Sequence, residues 1–291
     1  MNEPVTVYGV DHSPWVQGVC LALFRRGIPY RLVSHTIGLR AYLRWGMVMP
    51  VVRWPNGDYT SDSFAIYDEL SARFGGAPDS GLTVADQTDL ERFFIGYVLA
   101  RAGPGKHWSF LVAWAQMRSD HGGGFSSVFR SLMYLYFYLL ILVGRRQAVA
   151  KGREPYNVDR WASGLDSWTL RLENKPFFGG DEPSFLDDAM FGHIQCLASG
   201  LTPRAFACLR SHTILNAWIS RMNQRCLDYR HLHSFDGRCP AVATLGDQLI
   251  FYASLAAAVV MIPMTLIFVI DALRRRSKNP NRTGQRLRRR A

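Results

Sequence analysis

Residues 249–270 read LIFYASLAAAVVMIPMTLIFVI, a run without one charged side chain, closed in by Asp247 and Asp271. At about 1.5 Å per residue a helix of that length crosses a hydrocarbon core of about 30 Å. A buried helix of a water-soluble domain usually keeps a polar stripe, and this run has none, so a membrane span over 248–271 is the expectation. Pro263 is compatible with it, because a bilayer tolerates a kinked helix better than water does. The chain after it, 272–291, holds nine Arg and Lys; against Asp271 this is a net +8, so only +3 of the formal +11 belongs to everything before the run. A basic run can hold nucleic-acid phosphates or anionic lipid headgroups. Beside a span the second use is expected, and nucleic acid is not expected as a partner. In a bacterial inner membrane a cytosolic body with such a tail would run against the positive-inside tendency.

The N-terminal MNEPVTVYGVDHSPW lacks the basic stretch and apolar run of a secretory leader, which leaves the body expected in the cytosol. Cys20, Cys196, Cys208, Cys226 and Cys239 form an odd set without a C-x-x-C pair, which suits a reducing compartment and speaks against a structural zinc site. His231 and His233, near Tyr229, lack partners in ligand spacing and read as surface residues; no metal is expected. A second apolar stretch, LMYLYFYLLILV at 132–143, is too short to span. It reads either as a core helix or as a helix lying in the interface beside Arg145 and Arg146.

The first eighty residues alternate strand and helix signals. Residues 5–10 predict a strand, Ser13 and Pro14 open a helix to about Phe24, and 30–34 predict a second strand. A short helix at 39–45 follows, then a third strand in MPVVRW, a turn at PNGD and a fourth strand from Tyr59. Ser61, Asp62 and Ser63 start a helix carrying Phe64, Ile66, Leu70 and Phe74. This β-α-β-α-β-β-α order predicts a mixed sheet covered by helices over 1–78, an α/β unit. GGAPDSGLT is a linker by composition. From about Asp86 apolar residues recur at helical spacing, as in Trp161, Leu165, Trp168 and Leu172 and in Ala217, Ile219 and Met222, so 84–235 is predicted all-α, followed by a linker at 236–247.

Four constellations within 5–233 resemble the glutathione transferase family, with weak coverage between about 101 and 154. SPWVQGVCLAL (13–23) is similar to the turn where thioredoxin-like proteins place a thiol-activating residue. The resemblance makes Ser13 the group that stabilises a glutathione thiolate at a helix N-terminus; read alone, Ser13 is an N-cap. In VMPVV the resemblance implies a cis bond before Pro50, with the Met49 backbone pairing with the cysteinyl part of glutathione; read alone, the proline starts a strand. In SDS it implies that Ser63 takes the γ-glutamyl carboxylate and Asp62 the α-ammonium group, where the residues alone would make a cap. His35, Arg40 and Arg44 are candidates for the glycyl carboxylate. KPFFGGDEPSFLDDAMFGHI (175–194) looks like the entry to the core helix of the transferase all-α domain, with Ser184 and Asp187 in capping-box spacing.

The resemblance thus implies a thioredoxin-like domain followed by an all-α transferase domain and a C-terminal transmembrane helix. It implies glutathione as co-substrate, an apolar small-molecule electrophile as second substrate, and pairing into a homodimer as transferases commonly do. Trp108, Trp114 and Met117 read either as walls of a substrate pocket or as core. The chain also resembles metaxins, tail-anchored transferase-fold proteins that serve membrane assembly, in which case the body is a non-catalytic adapter. Glutathione-dependent thiol transfer is disfavoured, because Ser13 replaces the cysteine it uses and Cys20 would be buried about two helical turns on.

Overall fold

β1 (Val5–Tyr8) buries Val5, Thr6 and Val7 in succession, the mark of a strand covered on both faces. The computed structural model describes residues 3–9, 13–33, 49–74, 82–101, 158–198 and 203–229, with single positions between 245 and 270. After β1 come α1 (Pro14–Arg25), β2 (Tyr30–Val33), β3 (Val51–Arg53), β4 (Tyr59–Ser61) and α2 (Ser63–Phe74). The strands form one sheet in the order β2-β1-β3-β4; β1 and β2 are parallel, and β3 is antiparallel to both of its neighbours. This is the predicted mixed sheet of a thioredoxin-like domain.

Local chemistry sets the boundaries. Pro14 occupies the first position of α1, where its missing N–H is no loss. The helix stops in a Schellman arrangement: Gly27 takes φ 62°, its N–H donates to the Phe24 carbonyl, and the Ile28 N–H donates to the Leu23 carbonyl. The PNGD turn closes through Gly57 at φ 86°, with its N–H on the Trp54 carbonyl. Phe74, the last residue of α2, is exposed and lies near Trp54.

The second unit is helical: α3 (Val84–Arg101), α4 (Val158–Ser163), α5 (Leu165–Arg171), α6 (Phe185–Cys196), α7 (Pro203–Arg210) and α8 (Thr213–Arg225). α3 begins at Val84 behind a cap formed by Thr83 and Asp86: Thr83 N–H and Oγ–H donate to the Asp86 carboxylate, and Asp86 N–H donates back to Thr83 Oγ. Trp161, Leu165, Trp168 and Leu172 are buried as their spacing predicts. On α8 the buried stripe is Leu215, Trp218, Ile219 and Met222; Ala217, expected on it, is exposed, since it lies roughly 150° round the helix from the middle of that stripe.

α6 is buried along its whole length and carries the junction between the two units. Its Gly192 meets α1 so closely that a Cβ there would lie 2.4 Å from Gly18 N and 2.6 Å from Pro14 O, while a Cβ on Gly18 would meet Tyr67 Oη at 2.4 Å. At the other end, buried Asp188 takes the Arg25 guanidinium on both carboxylate oxygens and Arg26 Nη1 at 3.0 Å. Arg26 also lies 3.8 Å over the Phe185 ring. The predicted capping box is present, and Asp187 does more than cap. It accepts the N–H groups of Phe178, Gly179 and Ser184, the Ser184 hydroxyl and the Trp218 indole N–H. Burial pushes its carboxyl above the ordinary range, and these bonds pull only part of the way back.

Among the described residues no helix is long and apolar enough to cross a membrane. The run at 249–270 falls almost wholly outside them, as do 39–45, 132–143, the tail at 272–291, Cys239, His231 and His233. The positions described in and beside the run, Leu245, Leu249, Tyr252, Ala253, Ala256, Ile267 and Ile270, are helical and exposed.

Two stability predictions follow from the junction. Asp188→Ala strands two partly buried guanidinium groups, and urea denaturation should show a loss of about 3 to 5 kcal/mol. His193, on α6, is fully buried, and that burial pushes its pKa down to about 4. The folded chain keeps the ring neutral while the unfolded chain takes a proton below about 6.5, so its stabilising share is complete above that pH. It is lost as pH falls from about 6.5 to about 4, by on the order of 3 kcal/mol. His193→Phe should flatten that part of the stability–pH curve; an unchanged slope would show that other groups cause it.

Candidate functional site

The register of the sheet decides what shares one end of it. Tyr8, the last residue of β1, pairs with Val33, the last of β2, and with Val51, the first of β3, which in turn pairs with Ser61, the last of β4. One row across the sheet, Val33-Tyr8-Val51-Ser61, therefore bounds the end from which four segments depart. They lead to Ser13 at the head of α1, to Met49 and Pro50 before β3, to Asp62 and Ser63 at the head of α2, and to the residues after Val33. His35, Arg40 and Arg44 follow Val33 but lie outside the described residues.

α1 and α2 both begin at this end, so two sets of first-turn helix N–H groups, each with the positive end of a helix dipole, lie beside the same strand ends. They are joined by their second residues: the rings of Trp15 and Phe64 meet edge to face at 5.3 Å. Gly9 shows the same crowding, since a Cβ there would lie 2.4 Å from Val16 Cγ2 in α1 and 3.5 Å from Met49 Cβ.

Ser13 has extended backbone angles at the N-cap of α1, and its carbonyl accepts the Gln17 N–H at 2.9 Å. Its hydroxyl makes no capping bond. The side chain is thus not used as a cap. The peptide bond before Pro50 is cis, as the resemblance implies; Pro50 is buried and Met49 half-buried.

Asp62 takes φ 82°, a left-handed conformation that costs a non-glycine residue about 1 to 3 kcal/mol. Part of that is returned by capping: its Oδ1 accepts the Phe64 N–H at 2.9 Å and its carbonyl accepts the Ile66 N–H at 3.0 Å. For Asp62 the capping role is therefore real. The same turn carries the acidic group and the neighbouring Ser63, which is buried, to the head of α2.

Trp15, Phe94 and His193, which meet at this end, were not singled out by the sequence. Trp15 packs edge-on against Phe94 of α3 at 5.7 Å and against the His193 ring of α6 at 4.5 Å, in addition to Phe64. The signal was present as an aromatic residue directly after each small-residue turn, SPW and SDSF. Trp108, Trp114 and Met117 lie outside the described residues. Of the cysteines, Cys20 is buried in α1, and burial together with Asp188 pushes the Cys226 thiol up to about 12, so neither offers an accessible thiolate. Among the described residues no group of three or more His, Cys, Asp or Glu assembles as a metal site.

Comparison with known proteins gives one family match, to the C-terminal domain of glutathione S-transferases over residues 164–222, the segment from α5 into α8. No protein of curated function matches in sequence. Solved structures similar to this chain include glutathione transferase F1 of poplar, at 18% identity over 78% of this chain and 98% of that one, with a TM-score of 0.43. They also include glutathione S-transferase I from maize, in complex with an atrazine glutathione conjugate, at 16% identity over 81% and 100%, TM-score 0.46. A glutathione S-transferase from Rhodospirillum rubrum F11 aligns at 15% identity over 84% and 99%, TM-score 0.48. The Ser184–Asp187 box lies inside the segment that matches the glutathione S-transferase C-terminal domain, which is what residues 164–222 of this chain are similar to.

Proposed function

We propose that this chain binds glutathione at the Val33-Tyr8-Val51-Ser61 end of its sheet and adds it to apolar electrophiles, while residues 249–270 hold it to a membrane. The observation that carries the reading is the shared register, which brings the Ser13 turn, the Met49–Pro50 segment and the Asp62–Ser63 turn to one end of the sheet with two helix N-termini. Glutathione is an extended peptide with a zwitterionic head and a thiol. Its γ-glutamyl carboxylate would sit on Ser63 and the head of α2, its α-ammonium group on Asp62, and its cysteinyl backbone along Met49 as an added strand.

The sulfur then reaches the head of α1. There the Ser13 hydroxyl donates to it, and together with the helix dipole it favours the thiolate over the thiol. The thiolate attacks the electrophilic carbon and forms the carbon–sulfur bond, while the leaving group departs with the bonding electron pair. Phe94, half-buried on α3 against Trp15, would offer an apolar surface beside this position. The match of residues 164–222 to a transferase C-terminal domain supports pairing of two bodies as a homodimer; the body would lie in the cytosol.

The anchor is supported by the uncharged run and by the described positions within it. Leu249, Tyr252, Ile267 and Ile270 are helical with exposed side chains, and acyl chains would cover them where water would not. An anchored body would meet electrophiles that partition into lipid.

Isothermal titration of glutathione into the full chain in detergent should show binding at millimolar concentration or tighter, weakened about tenfold in Asp62→Ala by loss of the ammonium partner. Ser13→Ala should leave that affinity nearly unchanged but lower turnover of a nitroaryl chloride by about 100-fold and raise the apparent pKa of the bound thiol. A folded wild-type chain that does not bind glutathione would remove the enzyme reading and favour the metaxin-like adapter. For the anchor, the full chain should stay with membranes at alkaline pH. The double substitution Ala257→Arg and Val260→Arg, at about 2.5 to 3.5 kcal/mol per charge in the bilayer centre, should release it.

A further inference from the structure

Trp15 stands at the meeting point of the glutathione cradle and the helical domain. It is the second residue of α1, two positions after Ser13, and its ring contacts Phe64, the second residue of α2 and the one directly after Ser63. The same ring packs on Phe94 from α3 and on His193 from α6. Both turns that would hold the two ends of the γ-glutamylcysteinyl unit are therefore tied, through one side chain, to helices of the other domain.

His193 shows that this contact is oriented and not merely filled. Its ring lies at 89° to Trp15, with centroids 4.5 Å apart, and at 5.9 and 6.0 Å from Phe93 and Phe94. Nδ1 donates to the Ala189 carbonyl at 2.7 Å, one turn back on α6, which fixes the ring's rotation. Nε2 is then an acceptor with no hydrogen-bond partner, an unmet group that costs about 1 to 3 kcal/mol in a buried site. Phenylalanine would fill the same space without that cost but with nothing to hold its plane. What the imidazole supplies is a fixed surface for the Trp15 ring.

We propose that Trp15, held edge-on by His193, is a positioning residue that sets the distance between the heads of α1 and α2, so that Ser13 and Ser63 meet the two ends of one bound glutathione. This rests on the glutathione reading above. It adds that the helical domain takes part in that reading through α6 and α3, by way of a side chain that need not touch the ligand. Gly18 and Gly192 hold the middle of α1 against α6, and Tyr67 with Phe185 holds α2 one turn further on; Trp15 is the tie nearest the ligand.

The test uses the full chain in detergent with Trp15→Leu, Trp15→Phe and, as a control, Leu209→Ala, which opens a cavity in α7 away from the cradle. Trp15→Leu should raise the glutathione Kd about tenfold, Trp15→Phe should restore it to within about twofold, and Leu209→Ala should lower Tm with Kd unchanged. A merely structural Trp15 would behave as Leu209 does, losing Tm and keeping Kd, and that result would overturn the proposal. A second readout is independent of glutathione: amide hydrogen exchange over 62–67 should be faster in Trp15→Leu than in wild type, near wild type in Trp15→Phe, and unchanged in Leu209→Ala. Unchanged exchange over 62–67 in Trp15→Leu overturns the proposal. If the wild-type chain binds no glutathione but the exchange response appears, the ligand assignment falls while the tie between α1 and α2 stands.

Discussion

Where α1 crosses α6, the two helices touch backbone to backbone. A single methyl group on Gly192 would collide with the Gly18 nitrogen and the Pro14 carbonyl, so the first turn of α1 lies directly on the core helix of the other domain. That contact removes the usual freedom of one domain to shift against its neighbour. The ends of the crossing are fixed by different means: Asp188 with Arg25 and Arg26 at the C-terminal end of α1, and the Trp15–His193 ring pair at its N-terminal end. Because Ser13 is the residue before α1 begins, the aim of its hydroxyl is set by this junction as much as by the sheet beneath it.

α6 can be buried on all sides only because its polar residues are matched. Asp187 gathers five donors from the loop before it, from its own cap and from Trp218 of α8, and Asp188 takes two arginines from α1. Two adjacent carboxylates thus do separate jobs, one closing the helical domain on itself and the next closing it on the thioredoxin-like domain. At the Val33-Tyr8-Val51-Ser61 end, two helix N-termini begin beside Ser13 and Ser63, with the Asp62 carboxylate taking the Phe64 N–H of the second. A ligand with a carboxylate and an incipient thiolate spaced along an extended peptide suits that arrangement.

Much of this was legible in the sequence because it rests on local chemistry. Ser-Pro at the head of a helix, Pro-Asn-Gly-Asp between two strands, and Ser184 three residues before Asp187 each specify a backbone arrangement within a few residues, and each forms. The three site segments could be proposed from motifs, but their convergence depends on strand register, which the motifs do not contain. Less legible were contacts across the chain. On α8 the i, i+3, i+4, i+7 spacing of Leu215, Trp218, Ile219 and Met222 marks the buried stripe and leaves Ala217 outside it, whereas the Thr83–Asp86 cap was masked by the composition of the linker before it. The roles of Trp15 and His193 depend on helices more than seventy residues apart in sequence, and Gly18 gave no sign that it faces Gly192.

The central claim is that one extended thiol peptide spans the heads of α1 and α2. The most direct measurement is a crystal structure of the full chain with S-methylglutathione. The account requires the γ-glutamyl carboxylate at Ser63 and the head of α2, the cysteinyl backbone paired with Met49, and the sulfur within hydrogen-bond distance of the Ser13 hydroxyl. A ligand lodged elsewhere, or that end of the sheet filled by side chains of the protein itself, would contradict it.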